Sequence, residues 1–455
     1  MKNNFLKILP LFLIFIFLIT SGFGCKSPSG EVKEHQKPIT LEYWRLYDDE
    51  DAFSEIIKAY RELHPNININ YRKFRPEEYE QELLDALAED RGPDIFSLNE
   101  NLLRKYQAKI EPMPEEITMA YQVIKGTIKK ETVAELRTKK TLSLRQIKDD
   151  YAEIVYKNLV LDNKIYGLPL SLESLIMLYN RDILNKSAIT TPPTDWKSFQ
   201  DAVQKINRFD KENNIIQSGT ALGTGYNVSR SFDILSILML QNDAVMTDAS
   251  GYAIISKTKD KNYNPGLEAI KFYLDFASPT KNVYCWNSDL PDSLAAFLSG
   301  KVGFIFGYNY SIPIIRAQAP KLNLGVAPLP QVNPDNPKNY ANYFIETVSK
   351  KSKNTNEAWD FVIFANQEEQ VKKFLNKTNR PAALKSLINS QLEDEDLHAS
   401  AVQTLTATNW YEGKDPLAAE NAFKEMTENL LKATEEKEFN DIVKTAISKI
   451  NQTFK

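Results

Sequence analysis

Three histidines, two cysteines and several runs of acids are the groups in this chain that could do covalent, metal or acid–base chemistry. His35, His64 and His398 lie far apart and none sits in a metal-ligand spacing. The acidic runs Asp48-Asp49-Glu50-Asp51 and Glu393-Asp394-Glu395-Asp396 read as solvated faces or helix starts. There is no G-x-S-x-G elbow, no P-loop and no Rossmann glycine triplet. No enzyme activity, metal or cofactor is therefore expected. What remains is noncovalent recognition by flat rings, which stack, and planar amides, which hydrogen-bond. Two glycine-bounded runs carry both kinds of group: Gly223-Thr-Gly-Tyr226-Asn227 and Gly307-Tyr308-Asn309-Tyr310. The first lacks the lysine and spacing of a phosphate cradle and reads as an open loop presenting Tyr226 and Asn227. Trp286 in Tyr-Cys-Trp-Asn and Trp410 in Thr-Asn-Trp-Tyr fall outside clean helical periods, so each is read as either site or core.

Cys25 stands apart from these. Lys2 and Lys7 precede an apolar run from Ile8 to Ile19, and Ser21, Gly22 and Gly24 lead into the cysteine. A positive start, a short apolar stretch and small residues are the parts of a secretory signal. The run is shorter than the roughly 20 residues of a membrane span. The site resembles a bacterial lipobox, with Gly22 where that pattern usually has Leu. Residues 1–25 are thus expected to be an export signal ending at an acylated Cys25; the alternative is a plain signal with an ordinary thiol. Cys285 is then alone, which excludes a disulfide framework, and it reads as a buried, inert thiol.

Fifty-six basic and sixty acidic residues give a net charge of −4, so binding to nucleic acid, which needs phosphate neutralisation, is not expected. The length past the signal suits two or three domains. Residues 26–38 read as a flexible tether. Strands are expected at 39–47, 67–74 and 94–98, with helices at 51–63 and 77–88 between them. Such alternation implies a parallel sheet and an α/β domain. Residues 111–159 read as charged helical segments, and 160–166 as a small hairpin turning at Asp162-Asn163. A long apolar strand follows at 168–179, then helices at 195–209, 232–240 and 267–276. Strands at 302–306 and 324–327 precede a helical end from about Leu417. Trp196 and Trp359 are assigned to packing.

Seven segments in order resemble the solute-binding lipoproteins of bacterial ABC sugar importers, the group that includes maltose-binding protein. They are Ile39-Thr-Leu-Glu-Tyr-Trp44, Tyr60-Arg-Glu-Leu-His-Pro65, Gly92-Pro-Asp-Ile-Phe96 and Tyr166-Gly-Leu-Pro-Leu170 with Leu178-Tyr-Asn-Arg-Asp182. Pro192-Pro-Thr-Asp-Trp-Lys-Ser-Phe199, Ala296-Phe-Leu-Ser-Gly-Lys-Val-Gly-Phe304 and Leu324-Gly-Val-Ala-Pro-Leu-Pro330 complete the set. The stretch 111–159 and the long C-terminal half depart from the pattern. The resemblance implies an α/β, two-lobed periplasmic-binding-protein fold with the ligand cleft between lobes. It places an N-terminal lobe at 39–170 and 332–380, and a C-terminal lobe at 171–331 and 381–455. Crossings are expected at 170–173, 329–331 and 380–383.

Such a protein is expected to be a monomer that captures a carbohydrate by hinge closure and hands it to the permease subunits of an ABC importer. It would touch the membrane through its lipid only and face the extracellular side or periplasm. Ligands lie where strands end in α/β lobes. That rule nominates Trp44, Tyr47 and Asp48 after the first strand, and Asn99 and Glu100 after the third. Glu173 lies on the crossing strand, where the maltose-binding pattern has an acidic contact; the alternative is a hinge salt bridge. Tyr308 and Tyr310 sit where the family places an aromatic platform, and Tyr343 joins Tyr226, Asn227, Trp286 and Trp410 as candidates. Other readings are a peptide, amino acid or polyamine ligand, for which Arg45 or Arg230 would clamp a carboxylate, an adhesive or scaffold lipoprotein, and a surface glycan hydrolase.

Overall fold

The computed structural model describes residues 35–127, 130–258 and 263–454. The export signal, Cys25 and most of the tether lie outside the described residues. Two sheets, each with its own apolar core, form two lobes. In the first, the strands run in the order Ile67–Phe74, Ile39–Leu46, Ile95–Asn99, Phe344–Ser349 and Ile110–Glu111. The first three are parallel, with Ile39 opposite Ile67 and Leu46 opposite Phe74. Parallel neighbours need crossover connections, and the helices Asp51–Leu63 and Pro76–Ala88 supply them. Ala52, Phe53, Ile56 and Tyr60 recur at three- and four-residue spacing, so one stripe of the first helix is buried.

The second sheet runs Arg208–Phe209, Ile215–Thr220, Val302–Gly307, Ile176–Asn180 and Leu324–Ala327. Every residue of Val302–Gly307 and Ile176–Asn180 is buried, because helices cover both faces. Asp195 caps the helix Trp196–Ile206 by accepting from the Ser198 N–H at 2.9 Å. The chain ends in the helices Pro416–Leu430 and Glu436–Gln452. Trp196 and Trp359 are buried, in the second and first cores respectively.

A third, three-stranded sheet of Glu173–Ser174, Asn339–Asn342 and Ala407–Thr408 joins the lobes. The second and third crossings thus come later than 329–331 and 380–383. Residues 331–338 stay on the second lobe: Val332 N–H donates to Gln241, and the Lys338 ammonium meets the Leu240 carbonyl and Asp243. Ala382, Ala383, Leu384, Leu387 and Ile388 pack in the first core, although 381–455 was assigned to the second lobe.

The stretch 111–159 is a correction. It contains an antiparallel hairpin of Glu116–Lys125 and Glu131–Lys140, with Glu116 opposite Lys140 and Lys125 opposite Glu131. Ile117, Met119 and Tyr121 alternate inward with a period of two, and the abundant charges lie on the exposed partner strand. Short helices Leu144–Asp150 and Glu153–Leu159 follow. The hairpin at 160–166 turns at Asp162 and Asn163, both left-handed at φ 51° and 58°, as a two-residue turn matched to strand twist requires.

A cleft between the lobes, floored by a buried ion relay

A cleft of about 250 Å³ opens against the joining sheet. The first lobe lines it with Tyr47, Asn99, Asn101, Phe344 and Arg380. Ser171, Glu173, Asn342 and Tyr343 form the hinge side, and Arg230, Tyr310, Leu417 and Glu420 the second lobe. Five candidates from the sequence therefore meet here: Tyr47, Asn99, Glu173, Tyr310 and Tyr343.

Local chemistry fixes each one. Tyr47 follows the first strand at φ 66°, and its ring lies edge-on to Phe344 at 5.6 Å. Asn99 accepts from the Asn101 N–H and donates its amide to Asn342 Oδ1 at 2.7 Å. Tyr310 stacks on Tyr308 with centroids 5.8 Å apart. Tyr343 is a buried part of the floor, its hydroxyl donating to the Ile154 carbonyl. Among the described residues five tyrosines are more than a third exposed, and Tyr47, Tyr226 and Tyr310 of these stand at the cleft or the chamber adjoining it. Rings left in water beside a concave polar surface are what a stacking site needs.

Under the floor, five charged groups alternate in sign. Glu346 Oε1 lies 3.3 Å from Arg45 Nε, and Arg45 Nη2 lies 3.2 Å from Asp48 Oδ2. Asp48 Oδ1 accepts from Arg380 at 3.0 Å, and Arg380 Nη1 donates to Glu173 Oε1 at 2.7 Å. Glu173 Oε2 then takes the backbone N–H of Tyr310 at 3.3 Å, tying the first lobe to the second. The hinge salt bridge expected as the alternative role of Glu173 is thus present, on the cleft wall. Asp48 serves the relay beneath the cleft and is not among its lining residues. Arg45 lies 4.8 Å from the ring centroids of both Phe53 and Phe374, so it is a structural cation and not a clamp for ligand.

Glu100 is also buried below the cleft. It accepts from the Tyr343 N–H and from the Asn409 amide, each at 3.2 Å, so it bridges the first lobe to two crossing segments. Burial pushes its carboxyl up to about 8, against those hydrogen bonds, which pull it down. The folded chain therefore keeps a proton that the unfolded chain, titrating near 4.5, has lost. The stability from this group is full below about pH 4.5 and disappears as pH rises through about 8. Thermal melts from pH 5 to 9 should show Glu100→Gln flattening this fall; a variant with the wild-type pH profile contradicts it.

Four candidates are corrected to core. Trp44 packs on Phe74 at 4.6 Å in the first lobe. Trp286 is 1% exposed with its indole N–H on Asn227 Oδ1. Trp410 donates to Ser236 Oγ at 2.9 Å, and Tyr308 donates to Asp233 Oδ2 at 2.7 Å. Their polar neighbours in the sequence suggested exposure, but each ring found a buried acceptor instead. Asn227 is structural too, its amide held by the Asn287 and Leu290 carbonyls. Tyr226 lines the adjoining chamber. Sequence reasoning missed Phe344, Arg380, Leu417 and Glu420, which reach the cleft from segments with no motif.

Among the described residues no group of three or more His, Cys, Asp or Glu side chains is placed to hold a metal, and no helix is long and apolar enough to cross a membrane. The galactooligosaccharide-binding protein of Bacillus subtilis is 24% identical over 292 residues, 61% of this chain and 62% of its own length. The chain thus matches under two thirds of that relative. A cyclo/maltodextrin-binding protein complexed with maltotetraose superposes with a TM-score of 0.70 at 17% identity, over 92% of this chain and 99% of the other. The maltose-binding periplasmic protein of Listeria monocytogenes, in complex with maltose, gives 0.68 at 18% identity, over 92% and 99%. These likenesses establish the two-lobed fold. The family model for bacterial extracellular solute-binding proteins matches residues 55–401, and with most of its length so matched the chain belongs to that family.

Proposed function

We propose that this protein is an extracellular receptor that captures a carbohydrate between its lobes and delivers it to an ABC importer. The observation that carries the reading is the pairing of exposed Tyr47 and Tyr310 from opposite lobes across a cleft edged by Asn99, Asn101 and Asn342. Sugars present apolar C–H faces with a rim of hydroxyls, and rings plus amides match both. The names of the sugar-binding relatives support the same ligand class.

A ligand touching both lobes favours the closed state and shifts the population toward it. Moving the balance from 1:99 to 99:1 takes about 5.5 kcal/mol, within the roughly 8 kcal/mol of a micromolar ligand. An acylated Cys25 would hold the receptor at the membrane as a monomer, beside its permease. The amino-acid alternative loses support because Arg230, which would clamp a carboxylate, turns its Nε to Asp233 at 2.6 Å.

Thermal unfolding of residues 26–455 against mono- and oligosaccharides, amino acids, peptides and polyamines tests the reading. A sugar at 100 times its dissociation constant adds about 2.7 kcal/mol, which raises the melting temperature by several degrees. Shifts with amino acids, peptides or polyamines alone would overturn the carbohydrate assignment.

A further inference from the structure

The cleft does not end at Arg230. Beyond it a second chamber of about 350 Å³ opens in the second lobe, and the two spaces share Arg230, Tyr310 and Glu420. The first space alone falls below the roughly 300–1,000 Å³ of small-molecule sites, whereas the joined spaces fall within it.

Arg230 is a fixed divider. It has a left-handed backbone, φ 62°, just ahead of the helix Ser231–Gln241. Asp233 holds its guanidinium, which lies 5.3 Å from the centroid of the Tyr308 ring. Asp233 also accepts the Tyr308 hydroxyl, so the cation, the carboxylate and the ring lock one another.

On the chamber wall stands Tyr226, 61% exposed on a loop that is otherwise pinned. Ser231 Oγ donates to the Gly225 carbonyl at 2.7 Å, and a Cβ at Gly225 would come within 2.5 Å of the Lys424 carbonyl. A rigid loop that presents one large ring to water beside an apolar floor (Val228, Phe232, Ile305) is preorganised for stacking.

We propose that the ligand is an oligosaccharide long enough to pass Arg230, with a distal ring on Tyr226, so that Arg230 sets the chain length at which full affinity is reached. This inference rests on the carbohydrate reading above.

Calorimetric titration with three graded series tests it: glucose to maltohexaose, mannose to mannotetraose, and galactose to a galacto-tetrasaccharide. In the series that binds, affinity should rise with length, and Tyr226→Ala should cost the longer members about tenfold while leaving the shortest bound member unchanged. Arg230→Ala should shift the length at which affinity levels off. Binding that is flat with length, or an equal effect of Tyr226→Ala on every length, overturns this inference and leaves the carbohydrate reading standing. Failure of every series, with wild-type folding intact, removes both.

Discussion

Replacing Arg380 with alanine should destabilise the protein by about 3–5 kcal/mol, the cost of stranding a buried charge. The side chains of Arg380, Asp48 and Glu173 are only 14%, 9% and 5% exposed, so water cannot take over the lost contacts. Asp48 keeps Arg45, but Glu173 is left with the Tyr310 N–H as its remaining partner of the two. The loss therefore falls on the hinge. Arg380→Lys should recover part of it, since an ammonium restores the charge but not the planar fork that reaches Asp48 and Glu173 together. Thermal or denaturant unfolding measures both variants. An alanine variant within about 0.5 kcal/mol of wild type, the range of ordinary surface changes, would show that the relay does not hold the lobes.

The second large effect concerns binding without loss of fold. Tyr47 and Tyr310 are 48% and 37% exposed, so trimming both to alanine removes little buried surface and should leave the unliganded melting temperature nearly unchanged. Each ring that stacks on a sugar face contributes on the order of 1 kcal/mol beyond its area. Loss of the pair should therefore weaken sugar binding by about 30-fold or more. The two rings come from different lobes, so the double variant also removes a reason for closure. Trimming the buried Tyr308 instead would act through the fold, because its hydroxyl and ring hold Asp233 and Arg230.

Regular alternation made most of the fold legible. Strands at 67–74 and 324–327 and the helix at 51–63 have the limits that periodicity implies, because each turns one apolar face to a core. The hairpin at 116–140 was misread since its charges mimic an exposed helix, while the period of two shows in only one strand. The crossings at 339–342 and 407–408 have no local signature, being two to four residues long and defined by pairing across the chain. In the site, strand exits led to Tyr47 and Asn99, and the family pattern to Glu173. Exposure of an aromatic ring depends on whether an acceptor lies buried nearby, as Ser236 does for Trp410 and Asp233 for Tyr308. Such partners are distant in sequence, so rings that stack on ligand and rings that fill the core read alike.

The most direct measurement is one calorimetric titration of the sugar that best stabilises the wild type, run side by side on wild type and Tyr47→Ala/Tyr310→Ala. The account predicts saturable wild-type binding and a dissociation constant about 30-fold weaker or more in the variant, at matched melting temperatures. Equal affinity in the two proteins would contradict capture of the sugar between these rings.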